Sequence, residues 1–206
     1  MTKIKICGLK SIQDILAVNK VLPNYIGFVF AESLRQIDAQ KAQELKTYLH
    51  PAIKAVGVFV NEKMEKIIKL CAANVIDLVQ LHGDEDEEYI KYLKKHVGQK
   101  IIKAVRVKDK ESVKKALGLP CDYFLFDTYR QNTYGGTGKT FDWSLLPAIE
   151  KPYFLAGGIN AGNVMQAINA CRPYCIDVSS GVETRGRKDP EKIKKFVSLV
   201  RKAAVD

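Results

Sequence analysis

Several side chains that can give or take protons stand at the ends of short apolar runs in this chain. Cys7 closes the first run, His82 follows the fourth and Asp127 follows the sixth. A thiol, an imidazole and a carboxyl group are common general acids and bases in enzymes. Arg35 lies after the second run, and its planar guanidinium can hold a carboxylate through two hydrogen bonds. These residue types suggest an enzyme, with a loop-capping aspartate as the equal alternative interpretation of Asp127.

Two glycine turns follow the last two apolar runs and are typical of a phosphate-binding site. The first turn contains Gly157 and Gly158, and the second contains Ser180 and Gly181. Glycine lets a phosphate approach backbone N–H groups closely, and the Ser180 hydroxyl can add a further donor. Ordinary turn glycines are the alternative interpretation. The sequence favours phosphate binding.

A third glycine-rich stretch, TYGGTGKT at residues 133–140, resembles a nucleotide-binding loop only in part. A P-loop needs glycine where Thr133 stands, and a long helix must follow its GK[ST] end. Here the stretch belongs to a long loop after the sixth run and is followed by FDW. We therefore predict a mobile lid hinged on Gly135, Gly136 and Gly138 rather than an ATP site.

Eight apolar runs alternate with amphipathic helical patterns along the chain. The runs cover residues 4–7, 25–30, 55–60, 75–81, 101–105, 123–126, 153–156 and 175–179. Most are apolar on both faces, as in parallel strands covered by helices. Eight such units predict a single-domain (β/α)8 TIM barrel over residues 1–206. An open doubly wound sheet is the alternative, but its usual five or six strands would leave two units over.

Residues at the ends of the helical patterns give further local predictions. Ser11 and Asp14 predict a capping box at the first helix. Asp38 and Asn61 are predicted N-caps, and Gly98 and Gly118 are predicted C-terminal stops.

A barrel would gather the candidate residues at one end, because its active site lies at the carboxyl ends of the strands. The residues predicted there are Cys7, Arg35, Asn61, His82, Arg106, Asp127 and the two glycine turns. Barrels of this kind commonly bind phosphate through the loops after strands seven and eight. The combination therefore supports the phosphate interpretation of both turns.

Composition narrows the classes of protein. The net charge is +10, but the lysines are spread over the polar faces of successive helices, so we expect no nucleic-acid partner. Five scattered cysteines without a CxxC pair predict neither disulfides nor a metal site. No apolar run reaches the roughly 20 residues of a membrane span, and no secretory signal is evident. We expect a cytoplasmic protein without a membrane partner.

Six motifs in this order resemble the phosphoribosylanthranilate isomerase family over nearly the whole chain. They are KICGLK (residues 5–10), QLHG (80–83), FDTY (126–129), GGTGKTFDW (135–143), LAGGIN (155–160) and DVSSGVE (177–183). The resemblance implies an Amadori rearrangement in tryptophan biosynthesis, with a small phosphorylated substrate and no metal or organic cofactor. It also implies a monomer or a homodimer, since the family includes both.

The resemblance assigns roles to individual residues. It implies Asp127 as general acid and Cys7 as general base, with Arg35 binding the carboxylate of the substrate. This chain has Leu34 before Arg35, where the family usually has proline. His82 is expected to brace the mouth or to contact substrate in a minor role. Asp177 either accepts a sugar hydroxyl or only stabilises its turn.

Two alternative functions are compatible with the same barrel fold. A bifunctional isomerase that also serves histidine biosynthesis would usually pair two aspartates as acid and base, whereas the first position here is Cys7. A nucleic-acid-binding barrel would need clustered lysine and arginine with interleaved aromatic residues on one face, a pattern that the sequence lacks.

Overall fold

Eight parallel strands close into a barrel in a computed structural model of the chain, which describes residues 1–128 and 140–203. The strands are β1 Lys3–Cys7, β2 Tyr25–Val29, β3 Lys54–Phe59, β4 Leu78–Leu81, β5 Lys100–Val107, β6 Tyr123–Thr128, β7 Tyr153–Leu155 and β8 Cys175–Val178. Strands adjacent in sequence are paired, and β1 also pairs with β8. The predicted (β/α)8 barrel is confirmed, and the alternative open sheet is wrong. That one domain covers all of residues 1–206 stays a prediction.

Helices follow the strands as expected, with one exception. They are α1 Ile12–Val21, α2 Ala39–Tyr48, α3 Met64–Ala72, α4 Glu87–His96, α5 Lys110–Leu117, α6 Val164–Cys171 and α7 Pro190–Lys202. Between β6 and β7 the described residues form only a 3-10 turn, Trp143–Leu145. Pro147 follows closely and disfavours a helical conformation for the residue before it, so the turn ends at Leu146.

A second 3-10 turn and a short antiparallel hairpin come between β8 and α7. The turn is Ser180–Val182, and the hairpin strands are β9 Glu183–Thr184 and β10 Arg187–Lys188. The hairpin lies at the carboxyl end of β8, which is the end where the predicted site residues stand.

Most of the predicted helix ends are confirmed. Ser11 and Asp14 form a reciprocal capping box at α1, and the Asp38 side chain accepts from the backbone N–H of Lys41 in α2. Gly118 is the C-cap of α5, and Gly98 directly follows the C-cap of α4.

The prediction for Asn61 is wrong. Lys63 precedes the first residue of α3, while Asn61 has a left-handed backbone with φ 49°. Its Oδ1 accepts from the backbone N–H of Asp84 at 2.7 Å. Asn61 therefore joins the loops after β3 and β4 instead of capping a helix.

Apolar side chains fill the space between the helices and the barrel, and they also fill the barrel interior near the amino ends of the strands. Phe154 is 0% exposed and packs against the rings of Tyr25, Tyr123 and Tyr174, at centroid distances of 5.5, 5.7 and 5.9 Å. This aromatic floor lies at the amino ends of the strands. None of the helices in residues 1–128 and 140–203 has both the length and the apolar character needed to cross a lipid bilayer.

Candidate active site

A cavity of about 820 Å³ opens at the carboxyl ends of the strands. Eight of the nine predicted site residues line it: Cys7, Arg35, His82, Asp127, Gly157, Gly158, Asp177 and Ser180. One thiol and two carboxyl groups lie near the carboxyl ends of their strands and point into the barrel: Cys7 in β1, Asp127 in β6 and Asp177 in β8. The barrel thus brings together residues that are far apart in sequence.

Gly181 and Arg106 occupy different positions from those expected. A Cβ on Gly181 would clash with the backbone oxygen of Ile159, so this glycine lets the loop after β8 pack against the loop after β7. The guanidinium of Arg106 pairs with Asp84 in the loop after β4. Neither residue lines the cavity.

Cys7 ends β1 with only 9% of its surface exposed. Its neighbour across the β1–β2 ladder is Gly27, where an added Cβ would lie 2.5 Å from the Cys7 sulfur. Glycine at this position therefore makes room for the thiol. Burial raises the pKa of Cys7, and the nearby Lys5 ammonium acts in the opposite direction. All five cysteines are free thiols.

Asp127 lies in β6 beside an imidazole and an amide. Its Oδ1 accepts from the backbone N–H of Thr128 at 2.7 Å, and its Oδ2 lies 3.2 Å from His82 Nε2. The other ring nitrogen of His82 is 2.8 Å from Gln80 Nε2. With the amide in this orientation Gln80 donates to His82 Nδ1, and the imidazole proton is then on Nε2. His82 Nε2 is buried and has no hydrogen-bond partner among the described residues, although it lies close to Asp127. His82 therefore contacts the predicted acid directly.

The two predicted phosphate turns face the cavity from β7 and β8. Gly157 and Gly158 both have left-handed backbones, with φ 81° and 67°. A Cβ on Gly157 would clash with Thr128 and lie 3.0 Å from Asp127 Oδ1. Gly157 therefore lets the turn pass directly beside the predicted acid.

Arg35 is held by a carboxylate of the protein itself. Its Nε and Nη2 donate to the two oxygens of Glu183 at 2.8 Å each. Glu183 also accepts from Lys188 Nζ at 2.6 Å, and Lys188 donates to the backbone oxygen of Ser179 at 3.0 Å. Burial disfavours the charge of Glu183, but Arg35 and Lys188 prevail and lower its pKa to about 2.

Four residues that contact the predicted site residues, or one another beside them, were not predicted from the sequence: Lys5, Gln80, Glu183 and Lys188. Lys5 and Gln80 stand two residues before Cys7 and His82, so the period of two in a strand places them on the same inward face. That alternation was a usable signal. Glu183 and Lys188 lie in the hairpin strands β9 and β10, and this hairpin brings them close to Arg35. No local sequence pattern indicated the hairpin.

The predicted lid hinges Gly135, Gly136 and Gly138 lie outside the described residues. Among residues 1–128 and 140–203, no group of three histidine, cysteine, aspartate or glutamate side chains is arranged to hold a metal ion.

The fold and the cavity define a class: a (β/α)8-barrel enzyme with a polar cavity at the carboxyl ends of its strands. The family model described as N-(5'phosphoribosyl)anthranilate (PRA) isomerase matches residues 4–199. The chain belongs to that family.

Individual relatives agree over almost the full length. An N-(5'-phosphoribosyl)anthranilate isomerase from Lachnoclostridium phytofermentans is 52% identical over 208 residues, covering 95% of each chain. The crystal structure of phosphoribosyl anthranilate isomerase from Thermotoga maritima superposes with a TM-score of 0.89 at 39% identity, covering 98% of this chain and 100% of the other.

A further solved phosphoribosyl anthranilate isomerase was determined in complex with reduced 1-(o-carboxyphenylamino)-1-deoxyribulose 5-phosphate. It superposes with a TM-score of 0.83 at 33% identity, covering 98% of this chain and 100% of the other.

Proposed function

We propose that this chain converts N-(5'-phosphoribosyl)anthranilate into 1-(2-carboxyphenylamino)-1-deoxyribulose 5-phosphate by general acid–base catalysis, a step of tryptophan biosynthesis. One observation carries the proposal. Cys7 and Asp127 line a single cavity together with the glycine turn at Gly157 and the hydroxyl of Ser180. A base, an acid and a phosphate site are the parts that this Amadori rearrangement needs.

Asp127 acts first, as the general acid. It protonates the oxygen of the furanose ring while the bond from C1 to that oxygen breaks, and the nitrogen lone pair forms a protonated Schiff base with C1. The imidazole of His82, 3.2 Å from Asp127 Oδ2, holds the carboxyl group in place. His82 therefore positions the acid, a stronger role than bracing the mouth.

Cys7 acts second, as the general base. Its thiolate removes the proton from C2, the released electron pair forms the double bond between C1 and C2, and the Schiff-base nitrogen becomes neutral. The resulting enolamine becomes the ketone when C1 takes up a proton and the hydroxyl group on C2 loses one. Only the thiolate can accept this proton, and a free cysteine has a pKa of about 8.5, so ionisation of Cys7 governs this step.

The cavity has an apolar side and a side formed by the glycine turns, and these two sides suit the two ends of the substrate. Val29, Val58 and Val60 form an apolar wall on the side of β2 and β3, where Arg35 also stands. We assign the anthranilate ring to this wall and its carboxylate to Arg35. The phosphate is assigned to Gly157, Gly158 and Ser180 on the opposite side, with Gly181 supporting the second turn from behind.

Asp177 faces the middle of the cavity. Its Oδ1 is buried and has no hydrogen-bond partner among the described residues, while Oδ2 accepts from Lys5 at 2.8 Å. A buried carboxylate oxygen of this kind is poised to accept a hydrogen bond from a ligand. We assign it to a hydroxyl group of the ribose.

The need for cofactors, the oligomeric state and the cellular location stay predictions. The reaction is expected to need no metal or organic cofactor, the enzyme to be a monomer or a homodimer, and its location to be the cytoplasm.

The decisive experiment follows the loss of phosphoribosylanthranilate fluorescence with purified protein and no added metal. We expect rapid decay for the wild type and a loss of at least about a hundredfold in kcat for Cys7→Ala and Asp127→Asn. Phosphate-ligand affinity should stay within about threefold, because neither side chain belongs to the phosphate turns.

Cys171→Ala is the matched control, since this second free thiol ends α6 away from the cavity. It should retain the wild-type rate. No decay above the spontaneous rate with the wild-type protein would refute the proposed function.

A further inference from the structure

Lys5 is completely buried inside the barrel, at 0% exposure. Taking an ammonium group out of water is costly unless an opposite charge and hydrogen bonds compensate it. The acid–base scheme above gives Lys5 no role. A lysine in this position therefore calls for a functional explanation.

The geometry places Lys5 between a carboxylate and the predicted base. Lys5 and Cys7 stand two residues apart on β1, so both side chains point into the barrel. Lys5 Nζ donates to Asp177 Oδ2 at 2.8 Å, and these two residues are direct neighbours across the pairing of β1 with β8. The Lys5 ammonium also interacts electrostatically with the Cys7 side chain.

We propose that Lys5, held in place by Asp177, is the residue that stabilises the thiolate of Cys7 and so makes this cysteine usable as a general base. This inference rests on the proposed function. Lys5 acts through Cys7 and does not line the cavity, so it is a positioning residue. The step itself is an ionisation: the proton of the Cys7 thiol leaves to water in the cavity, and Lys5 remains an ammonium throughout.

The charges around the sulfur agree with this arrangement. Burial raises the pKa of Cys7; Lys5 on β1 and Lys188 on β10 oppose that rise, and Asp177 on β8 adds to it. Arg35, in the loop after β2, also interacts with the Cys7 charge. For Lys5, burial lowers the pKa, but Asp177 and Cys7 outweigh burial and the net direction is upward. The ammonium is therefore retained at neutral pH.

Opposite charges flank the thiol, so their removal should move its pKa in opposite directions. Lys5→Met removes the cation and leaves the Asp177 carboxylate facing Cys7, which should raise the pKa of the thiol. Asp177→Asn removes the anion, which should lower it. Damage to the structure alone would not reverse sign between the two variants.

The test is the pH dependence of Cys7 alkylation by iodoacetamide, without substrate, measured by mass spectrometry of the tryptic peptide that contains Cys7. For Lys5→Met we expect the profile to shift upward by at least one pH unit, about a tenfold slower alkylation at neutral pH. Asp177→Asn should shift it downward, and Lys5→Arg should stay close to wild type.

Lys3→Met is the matched control. Lys3 lies on the same strand and the same inward face, but it donates to Tyr174 in the aromatic floor, at 2.7 Å. Its removal should leave the alkylation profile unchanged.

An unshifted profile in Lys5→Met would overturn the inference. If that variant fails to fold, Lys5→Met with Asp177→Asn removes both charges without leaving a buried carboxylate alone. Because Lys5 influences the Cys7 pKa more strongly than Asp177 does, this double variant should still shift upward, by less than a fully folded Lys5→Met would. No shift there would equally refute the role of Lys5.

Different results would refute the role of Lys5 and the proposed function. A wild-type enzyme that turns over substrate while Lys5→Met leaves the alkylation profile unchanged would refute only the role of Lys5. A shifted profile in Lys5→Met, together with a wild-type protein that does not consume phosphoribosylanthranilate, would refute only the proposed function.

Discussion

At the scale of single residues, Arg35 shows how a binding group depends on the side chains behind it. Glu183 occupies Nε and Nη2, which leaves the edge formed by Nη1 and Nη2 to meet a ligand carboxylate. Gly8 supports the same arrangement, because a Cβ there would clash with the Arg35 side chain. Leu34, which precedes Arg35, is 91% exposed, whereas the salt bridge to Glu183 holds the guanidinium of Arg35.

We therefore expect Glu183→Gln to raise the KM for phosphoribosylanthranilate about tenfold, roughly 1.4 kcal/mol, with kcat within about threefold. The neutral amide loses the charge-assisted pairing that orients the guanidinium. Steady-state kinetics checks this expectation. Glu44→Gln is the control, since Glu44 pairs with Lys41 on the exposed face of α2. An unchanged KM in Glu183→Gln would show that Arg35 needs no such support.

Some of the candidate residues could be predicted from the sequence, whereas others were missed or given the wrong role. Cys7 and Asp127 could be found because each lies in a recognisable motif at the end of an apolar run. Lys5 was missed although it shares the inward face with Cys7, because a lysine in a strand is normally taken as exposed. Gly181 was assigned to the ligand, whereas its lack of a side chain serves the packing of two loops.

At the scale of elements, the strands were predictable within a few residues because buried parallel strands are continuously apolar. The largest discrepancy is β4, which begins at Leu78 although the apolar run begins at Val75. Asp77 explains it: the carboxylate accepts from the backbone N–H of Ala55 at 2.7 Å and pairs with Lys46, so it ties the turn before β4 to β3 and α2. Such long-range contacts are invisible to a local pattern.

The turn after β7 offers a test at this scale. Gly157→Ala forces a left-handed backbone on alanine and places a methyl group against Thr128 and Asp127. We expect kcat/KM to fall at least about tenfold and the free energy of unfolding to fall by about 1–3 kcal/mol. Urea unfolding and steady-state kinetics measure both.

Gly98→Ala is the matched control for that variant, because nothing lies within 4 Å of the added methyl group and the backbone is not left-handed. It should leave both quantities near wild type. Equal behaviour of the two variants would mean that the turn at Gly157 tolerates a side chain.

At the scale of the whole molecule, an aromatic floor and a polar mouth divide the barrel interior. Phe154 and three tyrosines fill the amino end, while titratable groups occupy the carboxyl end. The sequence predicted the barrel from the number of units. It could not predict which side chains meet across the interior, since that depends on the register of all eight strands.

Phe154→Ala should lower the free energy of unfolding by about 3–5 kcal/mol, because the floor cannot close around the missing ring. Denaturant unfolding measures the loss. Leu16→Ala, on the half-exposed surface of α1, should cost less than about 1 kcal/mol. A loss for Phe154→Ala as small as that of the control would contradict a close-packed floor.

The ion pair between Lys5 and Asp177 also joins the first strand of the barrel to the last, across 172 positions. During synthesis on the ribosome, Cys7 emerges early, and Asp177 emerges much later, with β8. Until β8 pairs with β1 the barrel stays open, and the Cys7 sulfur lacks the buried surroundings in which Lys5 and Asp177 face it. On the proposed role of Lys5, the general base is therefore formed only when the first and last barrel strands meet, and a chain that stops before β8 lacks it.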